Sequence, residues 1–581
     1  NQKPRLVKIS KKNKIMKLLY KIKKILKNYN LDAYIIPKND EFFSEYAFPN
    51  RLKTISNFSG SAGFSIITKS TNFLFVDGRY LIQSKMESGK NFRILEIPYS
   101  YPKDILNCKS IAKIGYDPKL FTEITLKKYF ANKYQLIPIR KNLIDSIFKE
   151  KGSRGQLFFN INDRIAGESS ISKINRLYKI LKKNKTDSIF VSAPENVAWL
   201  LNIRGNDNPN SPIPNARLLI DKEKQIYFFS ELSKTKKIKN KIKYKKIRYF
   251  KFEEFYEILS KLKSKRFTID CQTCSIFYQS LLNSKFSITN FEDPIYHLKS
   301  IKNKVEIENM KNAHIQDGVA LTKFLFWIKQ DKNFGFDELY LEKKLESFRK
   351  KNKDYIYPSF NTIAGSGPNS AIIHYRSSKK TNRKIKKDDI FLCDSGGQYK
   401  YGTTDVTRTV CFKKPSKKIK NIFTRVLKGH IAVATNNLNQ IKKGYLIDKK
   451  ARKFLKKINL DYGHGTGHGV GFFSNVHEGP QAISKFNSIE LKEGMIVSNE
   501  PGYYEEGKFG IRIENLIYVE KIKNNLKFKN LTMAPIDKDL INEKLLSLSE
   551  KNYLFNYNLE IYGKISKYLN RDEKNWLIKS I

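Results

Sequence analysis

The stretch IFLCDSGGQYKYGTTDVTRTV, residues 390–410, decides the fold of this chain. An apolar run delivers Asp394, the triplet Ser-Gly-Gly allows a sharp change of direction, and a second run delivers Asp405. Two adjacent strands of this kind would aim both carboxylates at one point. The pattern therefore predicts a site built on paired strands that end in acidic residues.

Three later segments carry further side chains of the same chemical type. The segment DYGHGTGHGVG (461–471) supplies His464 and His468 among five glycines, whose missing side chains allow backbone and ligand to approach closely. In MIVSNEPGYY (495–504), Glu500 stands at the end of an apolar strand. In FGIRIEN (509–515), Glu514 is predicted to lie inside an alternating strand.

These segments together offer an oxygen-rich ligand set with one imidazole and no thiolate, namely Asp394, Asp405, His468, Glu500 and Glu514. Such a set suits two hard or borderline divalent ions, such as manganese, better than a structural zinc. Four carboxylates balance the charge of two divalent ions, and a water shared by two such ions becomes a nucleophile near neutral pH. Any one of these residues alone is more typical of a turn or a surface, but the five together favour a hydrolytic metal site.

Length and composition narrow the class of protein. The chain has 581 residues, of which 40% are hydrophobic and 13% aromatic, so it can build several cores and is no disordered basic tail. There is no run of about 20 apolar residues, so a membrane span is not expected. Five cysteines do not make a disulfide scaffold, and we predict a cytoplasmic protein of three or four domains.

The charge is unusual, with 110 Lys+Arg against 56 Asp+Glu and a formal balance of +54. The basic residues are spread along the chain. The densest run, residues 234–248, alternates charge with Ile and predicts an exposed strand or edge with solvated lysines. No zinc-finger spacing, RNA-recognition aromatic signature or basic region with heptads is present. A solvated surface is therefore favoured over an anion-binding face, and nucleic acid is not expected as the main partner.

The order of elements predicts two similar α/β units before the acidic segments. A helix at 13–27 and strands at 31–37, 64–68 and 72–77 form the first, which ends near residue 150. Residues 150–156 are predicted to be a linker, and a helix near 170–183, a strand at 187–192 and a strand at 217–220 begin the second unit. The last stretch, about 530–581, is predicted to be helical.

Several segments resemble the pita-bread metallopeptidases, and within them the long, three-domain form of the Xaa-Pro aminopeptidases. They are RLKTISNFSGSAGFSIIT (51–68), LFVDGRYLIQS (74–84), AWLLNIRGNDNPNSPI (198–213), IKNKVEIENMKNAHIQDGVAL (301–321), FNTIAGSGPNSAIIHYR (360–376) and GHGTGHGVGFFSNVHEGP (463–480). The resemblance implies an α/β (α+β) fold with two creatinase-like domains at 8–150 and 157–303. A pita-bread catalytic domain at 304–530 and a C-terminal extension at 531–581 would follow.

The resemblance also implies roles for individual residues. Asp405 and Glu514 would bridge two metal ions, usually manganese, with Asp394 on one ion and His468 and Glu500 on the other. Four residues would act on the substrate: His374 and His477 would lie beside the scissile bond, Glu500 would carry a proton to the leaving nitrogen, and His464 would line the pocket. Arg512 would be the partner of a ligating carboxylate.

The reaction implied is removal of the first residue from peptides with proline at the second position, by a homodimeric enzyme. A prolidase that cuts dipeptides, or a creatinase, remains open within the same fold. So does a nucleic-acid or histone-binding protein on a peptidase-like scaffold, although the complete ligand set disfavours it.

Overall fold

A computed structural model describes residues 11–150, 156–330 and 335–581. Most of the predicted linker, and residues 8–10 of the predicted first domain, lie outside these ranges. None of the helices in the described parts of the chain is both long and apolar enough to cross a membrane.

The first unit is a six-stranded mixed sheet flanked by helices. Its strands are β1 (Ala33–Pro37), β2 (Phe64–Thr68), β3 (Asn72–Asp77), β4 (Arg93–Ile97), β5 (Lys113–Tyr116) and β6 (Gln135–Pro138). Its helices are α1 (Lys11–Asn28), α2 (Arg51–Ser56), α3 (Leu81–Ser88), α4 (Pro102–Ile105), α5 (Glu123–Phe130) and α6 (Leu143–Ile147). The order across the sheet is β4-β3-β2-β1-β5-β6, and the predicted helix and strands of this unit are confirmed.

The second unit repeats this topology. Its strands are β7 (Phe159–Asn160), β8 (Ile189–Val191), β9 (Ile203–Arg204), β10 (Arg217–Ile220), β11 (Ile226–Phe229), β12 (Ile247–Phe250), β13 (Arg266–Ile269) and β14 (Ser287–Asn290). Its helices are α7 (Asp163–Ala166), α8 (Ser170–Lys183), α9 (Pro194–Leu200), α10 (Phe255–Lys261), α11 (Ile276–Asn283) and α12 (Pro294–Ser300). The sheet order β12-β11-β10-β8-β13-β14 has the same parallel and antiparallel pairings as the first sheet, which confirms the predicted similarity of the two units.

For most of its length, the lysine-rich run at 234–248 is not the exposed strand or edge that its alternation predicts. Most of it forms a short 3-10 turn and further turns, and only its last two residues enter the edge strand β12. Ile238 and Ile242 are buried in the core of the second unit, at 0% and 3% exposure. They are four residues apart, so a chain that turns can bury both, and each burial is worth about 1.5–3 kcal/mol.

The third unit contains the described strands that follow β14 and the longest described helix, α13. Its helices are α13 (Lys304–Ile328), α14 (Glu338–Arg349), α15 (Lys417–Ala434) and α16 (Gly444–Lys456). Its first strands are β15 (Tyr355–Pro358), β16 (Ile363–Ser366), β17 (Ile390–Ser395), β18 (Gly397–Tyr399), β19 (Gly402–Thr403) and β20 (Val406–Cys411). The later strands are β21 (Gly467–Gly469), β22 (Glu478–Ile483), β23 (Ile496–Asn499), β24 (Gly502–Glu505), β25 (Phe509–Arg512), β26 (Asn515–Ile522) and β27 (Asn525–Asn530), and the C-terminal helices are α17 (Leu548–Ile565) and α18 (Arg571–Ser580).

Two sheets of the third unit position the acidic segments. One has the order β16-β17-β20 and the other the order β22-β21-β23-β26-β27, while β24 and β25 form a separate hairpin. The strands β17 and β20 pair antiparallel, as residues 390–410 predict. The prediction that Glu514 lies inside an alternating strand is wrong: Ile513 and Glu514 form the link between β25 and β26. The whole segment 509–515 is buried, because it passes from the hairpin into the second sheet.

Candidate active site

The five predicted ligand side chains, all from the third unit, line one cavity of about 490 Å³. Asp394 lies in β17, Asp405 directly precedes β20, His468 lies in β21, Glu500 directly follows β23, and Glu514 lies between β25 and β26. Nε2 of His468 is 3.4 Å from Asp405 Oδ2 and 3.6 Å from Glu500 Oε1. One ligand atom each of Asp405, His468 and Glu514 lie within 4.8 Å of one another.

The electrostatics of these carboxylates fit a cation site. Burial, and then the neighbouring negative charges of Asp394 and Glu500, raise the pKa of Asp405 well above its usual value. Burial and Asp405 do the same to the pKa of Glu514. Asp394 Oδ1 is buried and has no hydrogen-bond partner among the described residues. Ligand sets for divalent ions place several carboxylates close together and leave carboxylate oxygens without hydrogen-bond partners. These residues show both features, so they fit such ions.

Arg512 is a buried cation of the cavity and contacts Asp394, one of the predicted ligands. Its Nη2 donates to Asp394 Oδ2 at 2.7 Å, and its Nη1 donates to the Tyr504 hydroxyl at 2.6 Å. Its Nε donates to Thr407 Oγ1, which in turn donates to Glu514 Oε2 at 2.7 Å. The guanidinium thus holds the orientation of one carboxylate directly and of another through a hydroxyl.

Backbone carbonyls and a hydroxyl orient two histidines in the glycine-rich segment. Nδ1 of His468 hydrogen-bonds the Gly469 carbonyl at 2.9 Å, which directs Nε2 toward the carboxylates. Nδ1 of His464 hydrogen-bonds the Gly465 carbonyl, while its Nε2 accepts from the Tyr504 hydroxyl at 2.9 Å. Burial, and then the charge of Arg512, lower the pKa of His464 to about 3, so this ring is neutral at neutral pH.

The glycine at position 467 is required by a close backbone approach. A Cβ there would lie 1.9 Å from the Ser498 carbonyl oxygen, a distance that no side chain can occupy. The same approach lets the Ser498 hydroxyl accept from the His468 amide at 2.9 Å and donate to Glu500 Oε1 at 3.0 Å. One serine therefore connects the backbone amide of His468 with the carboxylate of Glu500.

The other two predicted histidines are each held by a side chain of the first unit. The Tyr80 hydroxyl lies 2.6 Å from His374 Nδ1, and the Glu45 carboxylate lies 2.7 Å from His477 Nδ1. Both pairs join residues that are hundreds of positions apart in the chain. Glu478, the neighbour of His477, is fixed by buried ion pairs with Lys299 and Lys302 near the end of the second unit.

Sequence reasoning missed Glu45, Arg79 and Tyr80 as residues of this cavity. The segment 77–80, Asp-Gly-Arg-Tyr, offered one signal, because a charged and aromatic run at the end of an apolar strand is typical of a site. For Glu45 the sequence offers no comparable signal.

The cavity differs in charge from the rest of the molecule. Seven acidic and five basic side chains line it, although the chain as a whole carries +54. A positively charged group is therefore not excluded from the cavity by the surface charge.

Family models cover most of the chain. Residues 308–521 match metallopeptidase family M24, and residues 524–581 match the C-terminal region of peptidase M24. Residues 19–146 and 153–306 match two models of the creatinase/prolidase N-terminal domain.

Curated relatives match over nearly their full length. A probable Xaa-Pro aminopeptidase P of Laccaria bicolor is 38% identical, over 96% of this chain and 92% of the relative. Xaa-Pro aminopeptidase 1 of Dictyostelium discoideum is 36% identical, over 98% of this chain and 96% of the relative.

Solved structures separate two architectures. The X-prolyl aminopeptidase of Caenorhabditis elegans, described as a cytosolic enzyme with a di-nuclear active site, matches with a TM-score of 0.90 and 29% identity, over 97% of this chain and 99% of that one. A prolidase from Pyrococcus horikoshii matches with a TM-score of 0.52 and 25% identity, over 63% of this chain and 99% of that one. Together with the family models, these matches confirm the predicted family resemblance and fold class.

Proposed function

This chain belongs to the Xaa-Pro aminopeptidase P family of M24 metallopeptidases, and from that premise we propose that it removes the first residue from peptides with proline in second position. The observation that carries the proposal is that the five side chains proposed as metal ligands line one cavity together with His374 and His477. Both histidines are held by the first unit, so the cavity is completed by a part of the chain outside the metallopeptidase region.

We propose that two divalent ions, most consistent with manganese, bind between the two sheets. Asp405 and Glu514 would bridge them, Asp394 would hold one, and His468 and Glu500 would hold the other. Oxygen donors with a single imidazole support this assignment, as does the match of four carboxylates to the charge of two divalent ions. When bound, such ions acidify water and polarise the carbonyl of the scissile bond.

Side chains of this chain would perform the remaining tasks. His374 lines the cavity with Nδ1 engaged by Tyr80, which leaves Nε2 free to donate a hydrogen bond to the scissile carbonyl oxygen. The nitrogen of an Xaa-Pro bond lies in a ring and has no N–H, so it must gain a proton in order to leave. Glu500, whose Oε1 accepts from Ser498, is the proposed proton carrier.

The substrate's free amine is positively charged and requires acidic surroundings. Carboxylates outnumber cations along the cavity, and Asp394 and Asp405 are among them. The excess positive charge of the protein lies elsewhere and does not oppose binding of this amine at short range. His464 and His477 are proposed to line the substrate pocket.

Architecture favours an aminopeptidase over a prolidase. The prolidase from Pyrococcus horikoshii covers 63% of this chain, whereas the X-prolyl aminopeptidase of Caenorhabditis elegans covers 97%. We further propose a cytosolic homodimer that acts on peptides and has no nucleic-acid partner. The Caenorhabditis elegans enzyme is described as cytosolic, which supports the proposed location.

Metal analysis combined with a cleavage assay tests the proposed function. The protein is expected to hold two ions per chain, to release the first residue of an Xaa-Pro-Pro peptide, and to lose this activity when a chelator removes the ions. Preference for the dipeptide Gly-Pro would instead indicate a prolidase. Steeply salt-dependent DNA binding without peptidase activity would support the binding-protein alternative.

Single substitutions distinguish the proposed role of the metal ligands from the proposed role of His374. Asp405→Ala and Glu514→Ala are expected to abolish activity with a modest effect on folding, because each removes a bridging ligand. His374→Ala is expected to lower turnover while metal content stays intact. Near-normal turnover of the first two variants, or loss of metal in the third, would contradict these roles.

A further inference from the structure

The turn that follows β3 carries a tyrosine of the first unit into the active-site cavity. Asp77 accepts a hydrogen bond from the Arg79 amide, and its carboxylate forms a two-pronged ion pair with the Arg79 side chain, at 2.9 and 2.8 Å. This contact fixes the turn Gly78–Tyr80. The Tyr80 ring is 1% exposed and lies edge-on to both Phe58 and His374.

The Tyr80 hydroxyl stands between two polar partners. It is 2.6 Å from His374 Nδ1 and 2.6 Å from Ser61 Oγ. Burial raises the pKa of this phenol, so its proton stays in place at neutral pH. If Ser61 donates to the Tyr80 oxygen, the Tyr80 proton is directed to His374 Nδ1.

His374 is neutral in this environment. Burial, and then the nearby charges of Arg79 and Arg512, hold its pKa well below the usual value. A neutral imidazole has a single N–H, and the hydrogen bond at one ring nitrogen decides where that proton sits. A hydroxyl that donates to Nδ1 places the N–H on Nε2, and the opposite tautomer would turn a lone pair toward a carbonyl oxygen bound there.

We propose that Tyr80 is a positioning residue for the peptidase reaction, whose hydroxyl donates to His374 Nδ1 and holds the Nε2–H tautomer turned toward the scissile carbonyl. The inference rests on the proposed function, since it takes His374 as the donor to that carbonyl. It makes the first unit a participant in catalysis, because the histidine has its working tautomer only when that unit is docked.

A double-mutant cycle tests the coupling between the two residues. Tyr80→Phe keeps the ring packing against Phe58 and removes only the hydroxyl. It is expected to lower kcat on an Xaa-Pro-Pro peptide about 10- to 100-fold, with KM and metal content unchanged. The variant that combines it with His374→Ala is expected to be no slower than His374→Ala alone, since Tyr80 acts through that ring. Tyr134→Phe is the matched control, because it removes another buried tyrosine hydroxyl of the first unit, which donates to the Leu106 carbonyl and does not line the cavity; it is expected to leave kcat unchanged.

The outcomes distinguish this inference from the proposed function. A kcat for Tyr80→Phe within about twofold of the wild type, with His374→Ala strongly impaired, would overturn the inference alone. Multiplicative losses in the double variant would overturn it as well. Absence of any Xaa-Pro cleavage by the wild type would instead remove the proposed function, and an unimpaired His374→Ala would remove the role of His374 and the inference with it.

Nuclear magnetic resonance reports the tautomer of His374 in the wild-type protein, so this test does not require a variant at position 80 to fold. In a long-range nitrogen–proton correlation spectrum of the histidine-labelled wild type, loaded with a diamagnetic divalent ion because manganese would broaden nearby signals, the ring signal absent from His374→Ala identifies His374. The inference requires its Nε2 to carry the proton and its Nδ1 to be unprotonated. The reverse pattern would overturn it.

Discussion

Replacing Arg512 by methionine tests two roles of its side chain separately: the orientation of Asp394, a proposed metal ligand, and the stability of the fold. In the structure its buried guanidinium contacts Asp394 Oδ2 at 2.7 Å and reaches Glu514 through Thr407. Removing a partner from a buried ion pair costs about 3–5 kcal/mol of folding free energy. Loss of the group that orients a metal ligand lowers metal affinity about 10- to 100-fold, which corresponds to about 1.4–2.7 kcal/mol.

The assay is peptidase activity of chelator-treated protein as a function of added metal concentration. Arg512→Met is expected to move the midpoint about 10- to 100-fold to higher metal, with activity largely recovered at saturation. Arg349→Met is the matched control. Arg349 forms another buried ion pair in the same unit, with Asp317 at 2.7 Å, but Asp317 is no proposed ligand.

Both variants are expected to lose similar folding stability, and only Arg512→Met is expected to shift the metal midpoint. An unchanged midpoint for Arg512→Met would refute the reasoning. An equal shift in Arg349→Met would do so too, because it would show that general destabilisation is the cause.

Two further predictions concern protons and salt. Burial, and then the charge of Arg408, lower the pKa of His430 from 6.5 to about 3. The unfolded chain therefore protonates this imidazole more readily than the folded chain does, and stability falls as the pH drops below the pKa of the unfolded chain. Between about pH 7.5 and about pH 5.5, protonation of this histidine in the unfolded chain should lower the free energy of unfolding by about 1.4 kcal/mol. His430→Asn keeps a donor for the Asn499 carbonyl, so chemical denaturation of this variant should show a correspondingly smaller loss of stability over the same pH range. An equal loss in the variant and the wild type would contradict the assignment. The surface charge of +54 should repel cationic peptides at long range, so kcat/KM for Arg-Pro-Pro should rise relative to Glu-Pro-Pro as salt is raised, with Ala-Pro-Pro as the neutral control. A ratio that does not change with salt would show that charges inside the cavity dominate.

Local patterns predicted the elements whose apolar spacing is unambiguous. The helix predicted near 170–183 is α8, Ser170–Lys183, because its apolar face has helical spacing and the Ser169 side chain caps its first turn. The pairing of β17 with β20 followed from two apolar runs joined by glycines.

Local patterns failed where burial depends on distant packing. Residues 236–246 alternate charge with Ile as a strand does, yet they turn, because the neighbouring core accepts Ile238 and Ile242 together. Glu514 looked like a strand residue, but it lies where the chain leaves the hairpin for the second sheet. The sequence does not show which surface a side chain will pack against. In both segments, that packing surface determined the local structure.

By itself, the sequence determined the chemical types available to the site and their order along the chain: carboxylates and imidazoles at strand ends, with glycines where backbones approach. Only the tertiary structure decided which groups act on one another. It placed Tyr80 on His374 and Glu45 on His477, paired Arg512 with Asp394, and gathered more acidic than basic side chains in the cavity of a strongly basic protein. The physical reason is that hydrogen bonds and charges act through distance and burial, and neither follows from position in the sequence.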